Sequence, residues 1–430
     1  MSNRSSYSPN FLSQCTVLPL LFLLLVTGPS CQNNKSVNSV FPESNPSIGP
    51  NCSENKIPGY YLIKKEDESL VTVNAPDDDS FINDWIKPNL NEIRWAESMK
   101  KIVVPTTSGF NDLVTEMVAT SQAPQPNWGQ IKTETYWAHE HNFRGQGVVI
   151  AVIDSTPDIT HLALAPKIAV NQNELMGEPQ QDDDQNGLID DLYGWDFSEN
   201  KPITNLSFFD NHGTHVSGII VGSHQNWSGV APEAKFIPIS FLNPQGFGNI
   251  LGAALAVRYA TSRKVHIINA SWGGVSCSPI LAEEIQKATN QGILFVTASG
   301  NEGVNLDQLP FYPASFQFPL QITVAATRPS DYLAGYSNSS FELVHLAAPG
   351  EFIWSTLKSN HFGYMSGTSM AAPFVSGALA ILKSAAPNAS PALLRQAIFQ
   401  GVEVKDYRVK TRGRLNIRKS LEWLLNQNPN

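Results

Sequence analysis

The chain has 430 residues, enough for a large α/β domain, a smaller unit and a substantial core. Hydrophobic residues make up 42% and charged residues 16%, the balance of a soluble globular protein. Against 38 acidic side chains stand 29 basic ones, a net charge of −9, and no basic block occurs, which argues against a nucleic-acid partner.

The first element is an address. Arg4 is the only charge ahead of the apolar run Val17–Val26, and small residues Gly28 and Ser30 precede Cys31. The run is too short to span a bilayer, so residues 1–31 predict an export signal and a secreted or cell-envelope protein. A cysteine at the cleavage point resembles a lipoprotein signal, although Gly28 stands where Leu is usual. Lipidation of Cys31 and ordinary secretion both stay open, and the membrane is expected to enter only in these ways. Beyond the signal only Cys52 and Cys277 are left, with no disulfide framework and no Cys/His metal spacing expected.

Residues 32–58, rich in Asn, Ser and Pro, read as a flexible tether. A small α+β unit follows over 59–124, with strand signals at 60–63 and 101–104 and a helical pattern over 110–119. The breaker-rich stretch 121–130 separates it from the rest.

Over 125–425 the text changes to short apolar runs at 148–153, 236–240, 266–271, 293–299 and 322–326. Such runs suit strands buried on both faces, and helical patterns lie between them. The alternation predicts a doubly wound α/β domain with a mostly parallel sheet. Ligands bind beyond the carboxyl ends of such strands. Asp154, the segment from Ser271 and the segment from Ser299 all fall there.

Four residue types then suggest acyl transfer. Ser369 opens an apolar helix, and Pro373 is tolerable only in a first turn, so the helix is expected to start near Ser369 or Met370. The helix N-terminus would stabilise negative charge beside the hydroxyl. A serine needs a base, and His212 follows the cap-like Asp210 and Asn211; His215 is its rival. The base needs a carboxylate, which Asp154 offers at a strand end, with Asp158 as the alternative. Asn301 offers a side-chain donor for an oxyanion.

The segments VVIAVIDS, NHGTHVSGI, INASWGG, VTASGNEG and SGTSMAAPFVSG resemble those of the subtilisin-like serine proteases, in the order Asp, His, Ser. The resemblance covers roughly 125–423 and implies a subtilisin-type fold and a serine endopeptidase with polypeptide substrates. It implies Asp154, His212 and Ser369 as triad, Asn301 as oxyanion donor, and Ser271, Trp272 and Gly273 as the edge that pairs with substrate. It also implies that 59–124 is a pro-segment, cut away near 115–130. Thr156 stands where the family usually has Gly, so the turn after Asp154 must differ. An inactive peptide-binding homologue is the alternative, against which all four chemical positions stand intact. An α/β-hydrolase is excluded by residue order. The chemistry requires no cofactor, and a monomer is expected.

The acidic insert 182–191 suggests a structural calcium ion. Asp182, Asp184, Asn186, the carbonyl of Leu188, and Asp190 fall at the ligand positions of an EF-hand-like loop, with Gly187 at the turn. Tyr193 replaces the usual closing Glu, so Asp191 or a neighbouring loop would have to complete the shell.

Overall fold

A computed structural model describes residues 56–103 and 127–427. Residues 1–35 lie wholly outside the described residues. So do the export signal, Cys31, most of the tether and the helical pattern at 110–119.

The N-terminal unit holds β1 (Lys56–Lys65), β2 (Leu70–Asn74) and β3 (Ile93–Val103). β1 starts at Lys56, so the boundary expected at 58/59 falls inside a strand. β1 pairs antiparallel with both β2 and β3. Alternation along a strand sends neighbours to opposite faces. Tyr61 and Ile63 pack with Phe81, Ile86 and Ile93 in the unit's own core. Leu62, Met99 and Ile102 belong instead to the core of the larger domain.

The larger domain is built on parallel strands β4 (Val149–Ser155), β5 (Lys235–Leu242), β7 (Ile267–Ala270), β8 (Leu294–Ala298), β9 (Gln321–Thr327) and β10 (Leu346–Pro349), with the short β6 (Phe247–Asn249) between β5 and β7 in sequence. In space they run β5-β4-β7-β8-β9-β10, all parallel, as expected from the apolar runs. Short flanking strands at both edges bring the sheet to ten. The strand faces explain the continuous apolar text. Ile150 and Val152 face one helical layer, whereas Ala151 and Ile153 face the other.

The first layer contains α1 (Asn211–Val221), α4 (Thr368–Ala385), α5 (Pro391–Gln400) and α6 (Ile417–Gln427). The second contains α2 (Ile250–Ser262) and α3 (Pro279–Asn290). A hairpin of β11 (Ile353–Leu357) and β12 (His361–Met365) leads into α4. The chain leaves β4 for β5 on one side, then returns past it to β7 on the other. β4 therefore borders the switch point where open α/β sheets bind ligands.

Among the described residues no helix is long and apolar enough to cross a membrane. One expectation is corrected: Cys277, fully buried, is disulfide-bonded. Spacing alone does not reveal this, because the bond joins segments remote in sequence.

Candidate active site

Asp154 lies near the carboxyl end of β4 and is fully buried. A lone buried carboxylate is costly, and its partners offset that cost. Its Oδ1 is 2.7 Å from His212 Nδ1 and accepts the Ser155 backbone N–H at 2.7 Å. His212 sits in the first turn of α1, whose cap Asp210 accepts the His212 N–H at 2.8 Å.

Ser155 joins these parts. Its hydroxyl donates to Asp210 Oδ1 at 2.7 Å and accepts from the Gly213 N–H at 3.0 Å. Only glycine fits at 213, because a Cβ there would lie 2.1 Å from the Ser155 carbonyl oxygen. The helix is thereby held directly against the strand end. Thr156, in the family's glycine position, is also buried. Its hydroxyl donates to Ser240 Oγ at 2.9 Å, and its carbonyl accepts the Asp210 N–H at 2.8 Å. The altered turn therefore supports the cap of the histidine helix.

The rival residues do other work. Asp158 accepts from the Thr160 and Ser359 N–H groups at 2.9 and 2.7 Å, which clamps two loops together. His215 is fully buried, and burial depresses its pKa to about 3, so it stays neutral beside the Gly363 carbonyl.

Helix α4 starts at Thr368, earlier than expected, and Pro373 lies inside it. Proline cannot donate to the carbonyl four residues back, which is that of Ser369. The Ser271 hydroxyl donates to that carbonyl instead, at 2.9 Å. In return Ser369 Oγ donates to the Ser271 carbonyl at 3.1 Å. The proline is tolerated because a neighbouring loop supplies the missing donor.

Asn301 Oδ1 accepts from the Thr368 backbone N–H and hydroxyl, both at 2.9 Å. Backbone N–H can only donate, so the amide oxygen is fixed toward Thr368 and the amide nitrogen toward the other side. That nitrogen lies 3.2 Å from where a Gly367 Cβ would stand. Asn338 holds the loop from beneath: its amide donates to the Ser299 carbonyl at 3.0 Å and accepts the Glu302 N–H at 3.1 Å. Gly300, at φ 101°, passes so close that a Cβ would fall 2.3 Å from Asn338 Nδ2. Sequence reading missed Asn338, Ser155 and Thr368. A polar residue inside an otherwise buried loop is the only signal for them.

Trp272 is buried on the ring of Phe241, and its indole donates to the Ile153 carbonyl at 2.8 Å. Only its main chain is left for an edge. Gly273 packs against Phe311, and Gly274 exchanges two backbone hydrogen bonds with Tyr312. On the facing side β6 pairs antiparallel with β3, Gly248 opposite Ile102. The Lys101 carbonyl oxygen reaches within 3.2 Å of the Cβ position of Gly274. The end of β3 thus lies between these two segments.

In the acidic insert, carboxylate oxygens of Asp182 and Asp184 converge with one from Glu174 within 4.8 Å. Glu174 precedes the insert and was not foreseen. Burial raises its pKa, and the charges of Asp191 and Asp184 add to this. Two other expected ligand groups accept backbone hydrogen bonds, as Glu174, Asp182 and Asp184 also do. Asp190 accepts the Gln180 N–H at 3.0 Å, and Asn186 Oδ1 accepts the Leu188 N–H at 2.8 Å. Asp191 is buried and bound by Tyr259, Asn171 and Arg263, so it is a structural clamp.

The α/β domain carries a paired aspartate and histidine at a strand end and a serine in the first turn of a helix, an arrangement compatible with serine-hydrolase chemistry. The model of the subtilase family matches residues 145–416, and the chain belongs to that family. It is a serine-type, subtilisin-like peptidase. The major intracellular serine protease of Bacillus subtilis is 35% identical over 59% of this chain and 73% of its own length. A thermostable alkaline protease of Halalkalibacterium halodurans is 29% identical over 81% of this chain and 87% of its own. The minor extracellular protease Epr of B. subtilis is 34% identical over 45% of this chain and 30% of its own, so relatives include an extracellular protein.

Proposed function

We propose that this chain is a serine endopeptidase whose triad is Asp154, His212 and Ser369, with Asn301 and the Ser369 N–H as oxyanion donors. The observation that carries the reading is the 2.7 Å contact between buried Asp154 and His212 Nδ1. It holds the imidazole in the tautomer whose Nε2 takes the Ser369 proton. Ser369 Oγ then attacks the scissile carbonyl, and the oxyanion forms beside the Asn301 amide and the start of α4. His212 returns the proton to the leaving amine, and water hydrolyses the acyl-enzyme by the same steps reversed. A serine-directed phosphonate should label the protein at Ser369 alone, and Ser369→Ala should lose caseinolytic activity. Wild-type activity in Ser369→Ala would end this assignment, whereas an unlabelled wild-type chain would favour an inactive, peptide-binding homologue.

The main chain of Ser271, Trp272 and Gly273 is the proposed edge for an extended substrate. The N-terminal unit is proposed to be a pro-segment, because the end of β3 lies along that same edge, against Gly274. N-terminal sequencing of active enzyme tests this: a start near 115–130 supports removal, and a start near 32 sinks it. Residues 1–31 are proposed to direct export, and mass spectrometry of the mature N-terminus will tell plain cleavage from a diacylglyceryl group on Cys31. Calcium is the proposed ion for the acidic insert, held by Asp182, Asp184 and Glu174, since hard oxygen donors suit it.

A further inference from the structure

The loop that carries Asn301 leaves β8 at Ala298 and runs over 299–304 with no helix or strand of its own. Backbone outside regular elements has to find partners for its N–H and C=O groups elsewhere. Here they are found on a second segment, 336–339, between β9 and β10. The Gly303 N–H donates to the Tyr336 carbonyl at 2.7 Å, the Asn338 N–H to the Gly300 carbonyl at 3.0 Å, and the Ser339 N–H to the Val304 carbonyl at 3.0 Å.

Asn338, fully buried, completes this pairing with its side chain. The amide nitrogen donates to the Ser299 carbonyl at 3.0 Å and to the Glu302 carboxylate at 2.6 Å. The amide oxygen accepts the N–H groups of Glu302 at 3.1 Å and Val304 at 3.0 Å. Its own carbonyl accepts the Ser299 hydroxyl at 2.9 Å. Both donors and both lone pairs of the amide are thereby used. Every partner belongs to the loop, and the partners stand on both sides of Asn301 in sequence. The loop's other grip is on Thr368, the first residue of α4, which accepts the Gly300 N–H at 3.1 Å and donates to Asn301 Oδ1. Asn301 is thus suspended between Asn338 and the residue before Ser369.

We propose that Asn338 is the positioning residue of the oxyanion site, acting on the reaction rate through Asn301 and touching neither substrate nor the reacting atoms. This rests on the reading of Asn301 as an oxyanion donor. Such a donor lowers the barrier only if it already points at the place where charge develops. Thr368 fixes which way the Asn301 amide is turned, because its N–H can only donate. Asn338 fixes where the loop itself stands. Without its side chain the Ser299 carbonyl, the Glu302 and Val304 N–H groups and the Glu302 carboxylate lose a shared partner. The loop then shifts to satisfy them, and Asn301 moves with it. A displacement of about 1 Å at such a site costs about a hundredfold in rate.

The test is kinetic, with a chromogenic peptide substrate. Active sites of each preparation are counted by phosphonate titration run to completion, so that unfolded or blocked protein does not enter the rate. Asn301→Ala should lower kcat by about 10²–10³, the loss found when a subtilisin is deprived of one oxyanion donor. Asn338→Ala should lower kcat by about a hundredfold with KM little changed, and should add nothing in the Asn301→Ala background. Loss by the same factor in both backgrounds, or unaltered kcat in Asn338→Ala, overturns the proposal. Wild-type kcat in Asn301→Ala ends the oxyanion reading and the positioning role with it. If Asn338→Ala does not fold, the isosteric Asn338→Asp decides. Its carboxyl keeps the two acceptor bonds, still donates when protonated, and when ionised repels the Ser299 carbonyl and the Glu302 carboxylate. Its kcat relative to wild type, a ratio that divides out the titration of His212, should fall as pH rises from about 5 to 8. In the Asn301→Ala background the corresponding ratio should stay flat. A ratio that is flat in both backgrounds, or falls equally in both, overturns the proposal.

Discussion

Ser271 and Ser369 exchange two hydrogen bonds, hydroxyl to carbonyl in each direction, at 2.9 and 3.1 Å. Pro373 makes the first possible by leaving the Ser369 carbonyl without its helical donor. The proposed substrate edge and the proposed nucleophile are therefore one hydrogen-bonded unit. Ser271→Ala keeps the main-chain carbonyl and removes only the hydroxyl. One net hydrogen bond is worth about 0.5–1.5 kcal/mol, so kcat should fall by up to about tenfold with KM little changed. Unaltered kcat in steady-state kinetics would show that the Ser369 carbonyl needs no donor.

Gly213 is the close-packing point between the histidine helix and the aspartate strand. Gly213→Ala places a methyl group 2.1 Å from the Ser155 oxygen, so α1 must shift. A displacement of that kind costs about a hundredfold in turnover. The expected outcome is a large fall in kcat with phosphonate labelling slowed in parallel. Pro238 contacts lie elsewhere, so Gly194→Ala is a control that should affect stability more than turnover.

Much of this was legible beforehand. The buried parallel strands announced themselves because both faces are covered, so the apolar text is continuous from 148 to 153. Asp154, His212 and Ser369 stand at the ends of such elements, where sequence marks them. The supporting groups were not legible. Ser155, Asn338 and Thr368 act through partners 55, 39 and 67 residues away, and nothing local distinguishes them from turn or cap residues. The disulfide and Glu174 were missed for the same reason.

Docking of the N-terminal unit should weaken in acid. Glu68 is surrounded by Lys64, Lys287 and Arg94, while Glu283 and Glu284 face Lys64, with Arg258 beside Glu284. Burial alone would raise the Glu68 pKa, but Lys287 and Lys64 hold it down to about 2. Burial opposes the same effect at Glu284, where Arg258 and Lys64 prevail and the pKa is lowered. A depressed carboxylate contributes stability that is present above its ordinary value of 4.5 and lost as pH falls toward the docked value. Hydrogen exchange in Ser369→Ala protein should therefore show β1 and β3 protected at about pH 6 and progressively exposed below about pH 4.5. Glu284→Gln should loosen the unit at neutral pH as well. Protection that is flat through this window would mean that apolar contacts at Leu62, Met99 and Ile102 hold the unit alone.

The acidic insert offers a sharper test than its sequence alone allowed. Asp182, Asp184 and Glu174 bring three carboxylates together, and the burial and like charge that raise Glu174 would both be offset by a bound cation. Asp190 is turned to the Gln180 N–H, outside that group. An ion that binds only the folded state stabilises it by mass action, by about 2.7 kcal/mol at a hundredfold excess over Kd. For a domain of this size that is a rise in Tm of roughly 3–4 °C. Melting curves of Ser369→Ala protein should therefore differ between EDTA and millimolar calcium. Glu174→Gln and Asp182→Ala should abolish the calcium-dependent rise, whereas Asp190→Ala should retain it at a lower baseline Tm. Equal midpoints with and without calcium in the parent would leave the insert as acidic surface, and loss of the rise in Asp190→Ala alone would restore the ligand set that the sequence suggested.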